Sequence, residues 1–518
     1  MNRHWAAAPA LARIRQQHAS AFVLGILLLF LPVFALSQEN TPPASRSVQM
    51  QLDTLSSKLS AAEERLRQSQ SEIDELQRQL AALRAQMPVR AAAVQPPTPA
   101  SSTSASTSTP TVAEVAEKAD ITAAEVKQHD QIKVESVSKY PVRLTGLILF
   151  NAFHTNGAVD QFDLPSFATQ GTAGVSNSAY GATLRQTTLG LLATGPRIFG
   201  ARSDAEVNVD FFGSIPYDAY GTVGGTVRLR TADVRLLWNR DTVEAGMVEP
   251  LISPLSPTSY ATISEPALSS AGNLWTWAPQ LSYEHRFGPM EKLHFAYQFG
   301  LWDPPTAGYN AGVIARIPSP GERSGQPAYE SRVSWSRAEP TDSMHLQLGF
   351  SGYYSRQSYT NRAGDSWAAT GDWAVPFSHV FQLSGEFYRG RAIGGLGGGQ
   401  YKDIISGTNP ITGASTFNWL NAAGGWTQAK VRMLSQLEWN AMFGEDNAYA
   451  NDFASLELPA GTTGYSARVR NQMVVTNFIY SPKTYLIFSP EFRHILSFPY
   501  RGASSSADLL TLSIGFRY

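Results

Sequence analysis

The chain ends in Leu510-Thr511-Leu512-Ser513-Ile514-Gly515-Phe516-Arg517-Tyr518. Side chains alternate between the two faces of a strand. Leu510, Leu512, Ile514, Phe516 and Tyr518 therefore share one apolar face, and Thr511, Ser513, Gly515 and Arg517 share a small or polar one. A wall with lipid outside and water inside requires that pairing. The stretch predicts the closing strand of an outer-membrane β-barrel, with Phe516 and Tyr518 as the signal read by the barrel assembly machinery.

The same texture extends back to Pro141. Strands are expected near 142–154, 181–194, 201–212, 226–238, 242–249, 279–288, 292–302, 328–337, 343–355, 365–375, 379–390, 424–432, 436–443, 466–480, 484–496 and 507–518. They number sixteen, an even count suited to antiparallel closure. Long connections (155–180, 250–278, 303–327, 391–423 and 444–465) alternate with tight ones such as Gly195-Pro196-Arg197 and Ser481-Pro482-Lys483, which read as turns. Long loops outside and short turns in the periplasm put both ends of the barrel on the periplasmic side.

Rows such as Leu293, Phe295, Tyr297, Phe299 and Leu301 predict lipid contact, and Trp238, Trp302, Trp335, Trp367, Trp373 and Trp439 are candidates for interfacial girdles. In 227–238 the outward parity switches after Leu229 to Ala232, Val234 and Leu236, which a β-bulge near Thr231 would produce.

Ahead of the barrel, residues 1–37 read as a cleaved export signal: Arg3, Arg13 and Arg15, then an apolar run from Ala21 to Ala35, then small residues. The run is shorter than the ~20 residues of a helical span. Residues 38–90 hold an unbroken heptad, with Leu52, Leu59, Leu66, Ile73, Leu80 and Met87 at a and Val48, Leu55, Ala62, Ser69, Leu76 and Leu83 at d. A lone helix cannot bury so narrow a stripe, whereas copies wound together can. An α-helical coiled coil in the periplasm is expected, built from several copies of the chain. Residues 91–140 form a Pro/Ser/Thr/Ala linker and a polar lead-in, and 141–518 the transmembrane β-barrel.

With 518 residues and no cysteine, the chain has no disulfide and no thiolate metal site. Losing the leader's three arginines leaves 38 basic and 42 acidic residues, a net charge of −4, which gives no general attraction to nucleic acid. The nine histidines are scattered, and neither Gly-x-Ser-x-Gly nor a phosphate-binding glycine loop is present. No enzyme activity, metal or cofactor is expected. The cluster Gly394, Gly395, Gly397, Gly398 and Gly399 falls in a long outer loop, where flexibility is the expected role.

A barrel of this size leaves an aqueous channel unless something narrows it. The candidate constriction is the loop from Glu249 to Pro279, stiffened by Pro250, Pro254, Pro257 and Pro266, with Glu249 and Glu265 able to face a basic wall and Trp275 and Trp277 able to pack on it. The same loop could instead form an external lid. Inward parity supplies Arg185, Arg202, Arg228, Arg230, Arg235, Lys430, Arg432, Arg470 and Arg493 as pore-lining candidates, with Arg228 and Arg230 the strongest pair. Asp204, Glu206 and Asp210 on the neighbouring strand leave open a wall of internal salt bridges with little net field.

The order of leader, heptad coil, linker and sixteen-strand barrel resembles the DcaP-like outer-membrane porins. So do the stretches Gly424-Gly425-Trp426-Thr427-Gln428, Leu437-Glu438-Trp439-Asn440-Ala441-Met442-Phe443-Gly444-Glu445-Asp446-Asn447 and Asn477-Phe478-Ile479-Tyr480-Ser481-Pro482-Lys483. The resemblance implies a homotrimer embedded in outer-membrane lipids and passive uptake of small, often anionic solutes. It carries over no substrate-contacting residue. The alternative is a plugged barrel whose coil tethers the membrane to the cell wall.

Overall fold

The structure, a computed structural model, describes residues 140–214, 224–288, 293–307, 317–337, 344–359, 362–459 and 467–518; the leader, the heptad segment and the linker lie outside the described residues. Its strands are β1 (Val142–Asn156), β2 (Ser178–Thr183), β3 (Thr188–Ile198), β4 (Ala201–Asp210), β5 (Arg228–Leu237), β6 (Asp241–Val248), β7 (Ala278–Phe287), β8 (Leu293–Trp302), β9 (Ala328–Arg337), β10 (Gln347–Tyr359), β11 (Arg362–Pro376), β12 (Phe381–Arg391), β13 (Ile404–Thr408), β14 (Ser415–Trp419), β15 (Asn421–Leu434), β16 (Leu437–Ala448), β17 (Arg468–Lys483), β18 (Leu486–Pro499) and β19 (Ser505–Arg517).

Seventeen of these make one antiparallel sheet, and β13 and β14 form a separate hairpin in the loop after β12. The last strand pairs with the first, Phe516 opposite Ile148 and Leu512 opposite Ala152, so the sheet closes. β2 pairs with the Asn151–Asn156 half of β1 and β3 with its Val142–Leu147 half. The two share one wall position, which makes a sixteen-strand barrel with every expected strand in place. Closure leaves no unpaired edge, the condition for strands to cross a bilayer. The closing strand also keeps its two faces: Leu510, Ile514 and Phe516 are exposed, whereas Thr511 and Ser513 are buried.

Three local irregularities carry meaning. Asn208 faces Thr231 while Val209 faces Leu229, so Arg230 is the extra residue of a bulge and both Arg228 and Arg230 are turned inward. The break between β2 and β3 frees Gln186, which is fully buried and bonds a loop inside the lumen. Gly195-Pro196-Arg197 and Ser481-Pro482-Lys483, expected as turns, are instead parts of β3 and β17 where the register shifts. A bulge tolerates a proline that has no N–H to give the ladder. The chain reverses a few residues later, through Phe199 and Gly200 in the first case, both with left-handed φ.

Candidate functional site

The connection from β6 to β7 runs along the inner wall. Leu251 N donates to Glu330 of β9 (2.9 Å), Thr370 Oγ1 of β11 to the Ile252 carbonyl (2.6 Å), and Ser253 Oγ to Glu386 of β12 (2.7 Å). Farther on, Thr258 N donates to Gln428 of β15 (2.8 Å), Ser259 Oγ to Glu491 of β18, and Arg517 of β19 to the Tyr260 hydroxyl (2.7 Å). Gln186 accepts from Ile263 N (2.7 Å) and Ser264 N (3.2 Å) and donates to the Ala261 carbonyl (2.9 Å). Partners on so many inward-facing positions put the loop inside the barrel, and it is not an external lid.

The loop has its own apolar anchors, since Ile252, Leu268, Ala271 and Leu274 are buried against the wall. Its returning limb lies flat on β15 and β16. A Cβ at Gly444 would meet the Ala271 carbonyl at 2.1 Å, and one at Gly272 would meet the Gly425 carbonyl at 2.1 Å. Under the loop, Gln428, Asn440, Asn477 and Glu491 form a hydrogen-bonded row across four strands. The three stretches that resemble DcaP-like porins thus supply much of the loop's seat.

A second insertion comes from 392–403. The glycine cluster expected to be flexible is packed: Gly394, Gly398 and Gly399 are buried, because the segment drops inward instead of projecting outward. Gly399, Gln400 and Tyr401 all have left-handed φ, costly for the two non-glycine residues. Asp446 holds this turn by accepting from Gly399 N (3.0 Å), Gln400 N (2.6 Å), Gln400 Nε2 (2.6 Å) and the Tyr388 hydroxyl. Tyr401 then joins the constriction loop, donating to the Ser269 carbonyl (3.0 Å) and accepting from Trp275 Nε1 (2.8 Å).

The opposite wall carries the charges. Arg185 sits over the Phe212 ring (4.2 Å), Arg228 over both Phe212 (5.5 Å) and Trp277 (5.1 Å), and Arg230 over Trp277 (4.9 Å). The result is an alternating stack of guanidinium and aromatic planes. Arg185 is neutralised by Asp163 (2.6 Å), but Arg228 (2.7 Å) and Arg230 (3.8 Å) share the single carboxylate of Asp210. Arg228 also donates to the Ser264 carbonyl (2.6 Å), tying the stack to the loop. Glu265 follows on that loop, and burial pushes its carboxyl up to about 7 against the opposing pull of Arg228. Trp275 and Trp277 meet edge to face (5.4 Å), and the Glu249 carbonyl accepts from Gln280 (2.7 Å).

The remaining candidates divide. Arg202 is paired with Asp204 (2.9 Å), Arg235 with Glu206 (2.8 Å) and Asp233 (2.9 Å), and Lys430 with Glu438 (3.4 Å). Arg432 lies opposite Glu438 on the face that holds Lys430. Arg493 points inward but is buried beneath the loops, bound to Glu491 (2.7 Å) and the Pro165 carbonyl (3.4 Å), so it does not line open water. Arg470 is on the outer face over Phe498 (3.9 Å). Val469 is an extra residue in β17, opposite no partner between Pro499 and Phe498, and it reverses the parity that placed Arg470 inside. Phe516 and Tyr518 stand at the short-turn end of the β1–β19 seam, where Tyr518 N bonds the Gly146 carbonyl (3.3 Å).

No family model matches the chain, and no curated protein matches it significantly. Among solved structures, it is similar to the outer membrane channel DcaP of Acinetobacter baumannii, with 15% identity and a TM-score of 0.55 over 73% of this chain and 97% of that one. Weaker likenesses are an anion-selective porin from Comamonas acidovorans (12%, TM-score 0.47, 73% of this chain and 100% of that one) and OprB of Pseudomonas putida (11%, 0.45, 74% and 96%). The likeness to the first is one of fold.

Proposed function

We propose that the protein is an outer-membrane porin: a water-filled channel for passive diffusion of small hydrophilic solutes, without enzymatic activity. The observation that carries this reading is the loop 249–277 held inside a closed sixteen-strand barrel, facing a charged wall. The shared fold with a solved outer membrane channel supports it. The bias is toward anions. Arg228 and Arg230 share the one ion-pairing carboxylate of Asp210 and stand near Glu249 and Glu265, and two guanidinium groups side by side at a constriction can attract and transiently pair with carboxylate or phosphate. The heptad of 48–87 supports a homotrimer with a periplasmic coil, and Phe516 with Tyr518 serve as the recognition end for the assembly machinery.

Planar-bilayer recording tests the reading. Three coupled conductance steps with an anion-biased reversal potential are expected, and silence from folded protein would sink it. Deleting 48–87 should leave conductance in place. A protein that served only as a cell-wall tether would show none to begin with.

A further inference from the structure

The outward face of β12 reads Phe387, Arg389, Arg391 toward the long-loop end of the barrel. Arg391 belongs to a row that crosses five strands at one level of the ladder: Tyr329, Tyr354, Trp367, Arg391 and Asn421. Outward aromatic residues in such a row mark the interface where hydrocarbon gives way to headgroups. Arg391 therefore stands at headgroup height. Arg389 starts one step deeper, opposite Ala369 and Ala423. Its side chain climbs back to the same level, with the guanidinium over Trp367 (5.6 Å) and Tyr449 (4.5 Å), as an arginine beside hydrocarbon does. Arg391 lies over Trp419 (5.8 Å).

Neither arginine has a carboxylate partner among the described residues. Arg389 donates to neutral acceptors, the Gly390 carbonyl, the Ala422 carbonyl (3.0 Å) and Asn421 Oδ1 (3.3 Å), and Arg391 donates to no atom of the described residues. Acids of the adjoining segments are engaged elsewhere, Asp365 with Arg356 (3.3 Å) and Asp452 with Asn421 N (2.8 Å). Two unpaired guanidinium groups at the edge of hydrocarbon are costly unless an anion joins them, and their planar forks of N–H donors suit phosphate. On the membrane side of the pair, Phe387 is exposed and lies between Gly371 and Gly425, so its ring stands clear of the wall.

We propose that Arg389 and Arg391 form a binding site for the phosphate headgroup of an outer-leaflet lipid, with an acyl chain running past Phe387. The inference rests on the outer-membrane reading given above. A lipid is favoured over a dissolved anion because the guanidinium pair caps an exposed apolar residue of its own strand. It is favoured over a protein partner because the aromatic row runs on unbroken through Trp367, Tyr354 and Tyr329, as it does where a wall meets lipid. The site lies on the outer face, apart from the lumen and its charged stack.

The test is native mass spectrometry of the folded full chain in mild detergent, with phosphorylated lipid A and with its dephosphorylated form. Heat-modifiable migration shows that each variant has folded. The wild type is expected to retain the phosphorylated lipid in preference to the other. Arg389→Gln with Arg391→Gln should weaken that binding about tenfold and leave single-channel conductance unchanged. Arg391→Gln alone, which breaks no hydrogen bond among the described residues, should show a smaller loss and serves where the double variant does not fold. Equal retention of the two lipids, or variants that bind as the wild type does, overturns the site. Displacement of the lipid by millimolar inorganic phosphate overturns the choice of a lipid over a dissolved anion. A wild type silent in bilayers that still binds phosphorylated lipid A through these arginines would refute the channel and support the site.

Discussion

The lumen has two walls of different chemistry. Where the constriction loop lies, on β9 to β12 and β15 to β19, the inward residues are mostly neutral and fully buried: Ser355, Thr370, Gln428, Asn440, Asn471, Asn477 and Ser513. All of these but Ser513 have a backbone or side-chain hydrogen-bond partner, which keeps the desolvation cost small. The acids there, Glu330, Asp372, Glu386, Glu491 and Asp446 among them, receive donors from the inserted loops or from neighbouring side chains, and two of them sit in buried ion pairs, Asp372 with Arg332 (2.6 Å) and Glu491 with Arg493 (2.7 Å). Across from it, β4 to β7 carry Arg202, Asp204, Glu206, Arg235, Glu284 and Arg286, paired but partly exposed to water. Charged pairs thus occur on both walls, sealed from water under the loops on one and partly open to it on the other.

Removing the cover should have the largest effect. Replacing 251–276 by a short Gly/Ser link should raise single-channel conductance severalfold and weaken selectivity; unchanged conductance would mean that the loop does not limit flow. Next is Arg228→Ala with Arg230→Ala, which strips Asp210 of both partners. Asp210 keeps only the Phe212 N–H (3.0 Å), and a buried carboxylate stripped of its cations costs up to about 3–5 kcal/mol, so a lower melting temperature and a reversal potential shifted toward cations are expected together.

A smaller effect is expected at the clamp between the walls. Asp446→Ala leaves Gly399 N and Gln400 N without their acceptor, at about 1–3 kcal/mol for an unsatisfied buried group. Open-channel noise should rise while mean conductance changes little. A quiet channel would show that the loop is held by its wall contacts alone.

The pH response is subtler. Because burial raises the Glu265 carboxyl from its ordinary 4.5 to about 7, the folded state favours its protonated form. The stabilisation is complete below the ordinary value and is lost as pH rises through about 7. Over the same interval the constriction gains a negative charge, so anion preference should fall from pH 5 to pH 8, and Glu265→Gln should flatten that step. The least effect is expected from Arg470→Ala, whose outward side chain should leave ion selectivity as it was.

The strands were legible because period-two alternation is a local signal, repeated wherever lipid and water face opposite sides of one wall. Even the bulge at Arg230 was visible as a parity switch, since its flanks are long enough to show both phases. At Arg470 the same device failed, because the extra Val469 lies two residues inside the strand and leaves no outer flank to compare. The loop's docking was not legible for a different reason. Its partners are remote in sequence, and Gln186, Asp446 and Gln428 look like ordinary polar strand residues until folding brings them to the loop. The prolines of 250–266 showed a stiff segment without showing where it rests.

The contact between Tyr260 and Arg517 joins residues 257 positions apart, the second of them next to the end of the chain. Contacts so distant in sequence form late, because the chain between them must first be ordered. A barrel that lacks its final strand therefore lacks part of the seat for a loop synthesised half a chain earlier. The Tyr260 end of the loop can therefore be pinned only once the final strand has joined the wall, so closure of the barrel also completes the seat of the loop inside it.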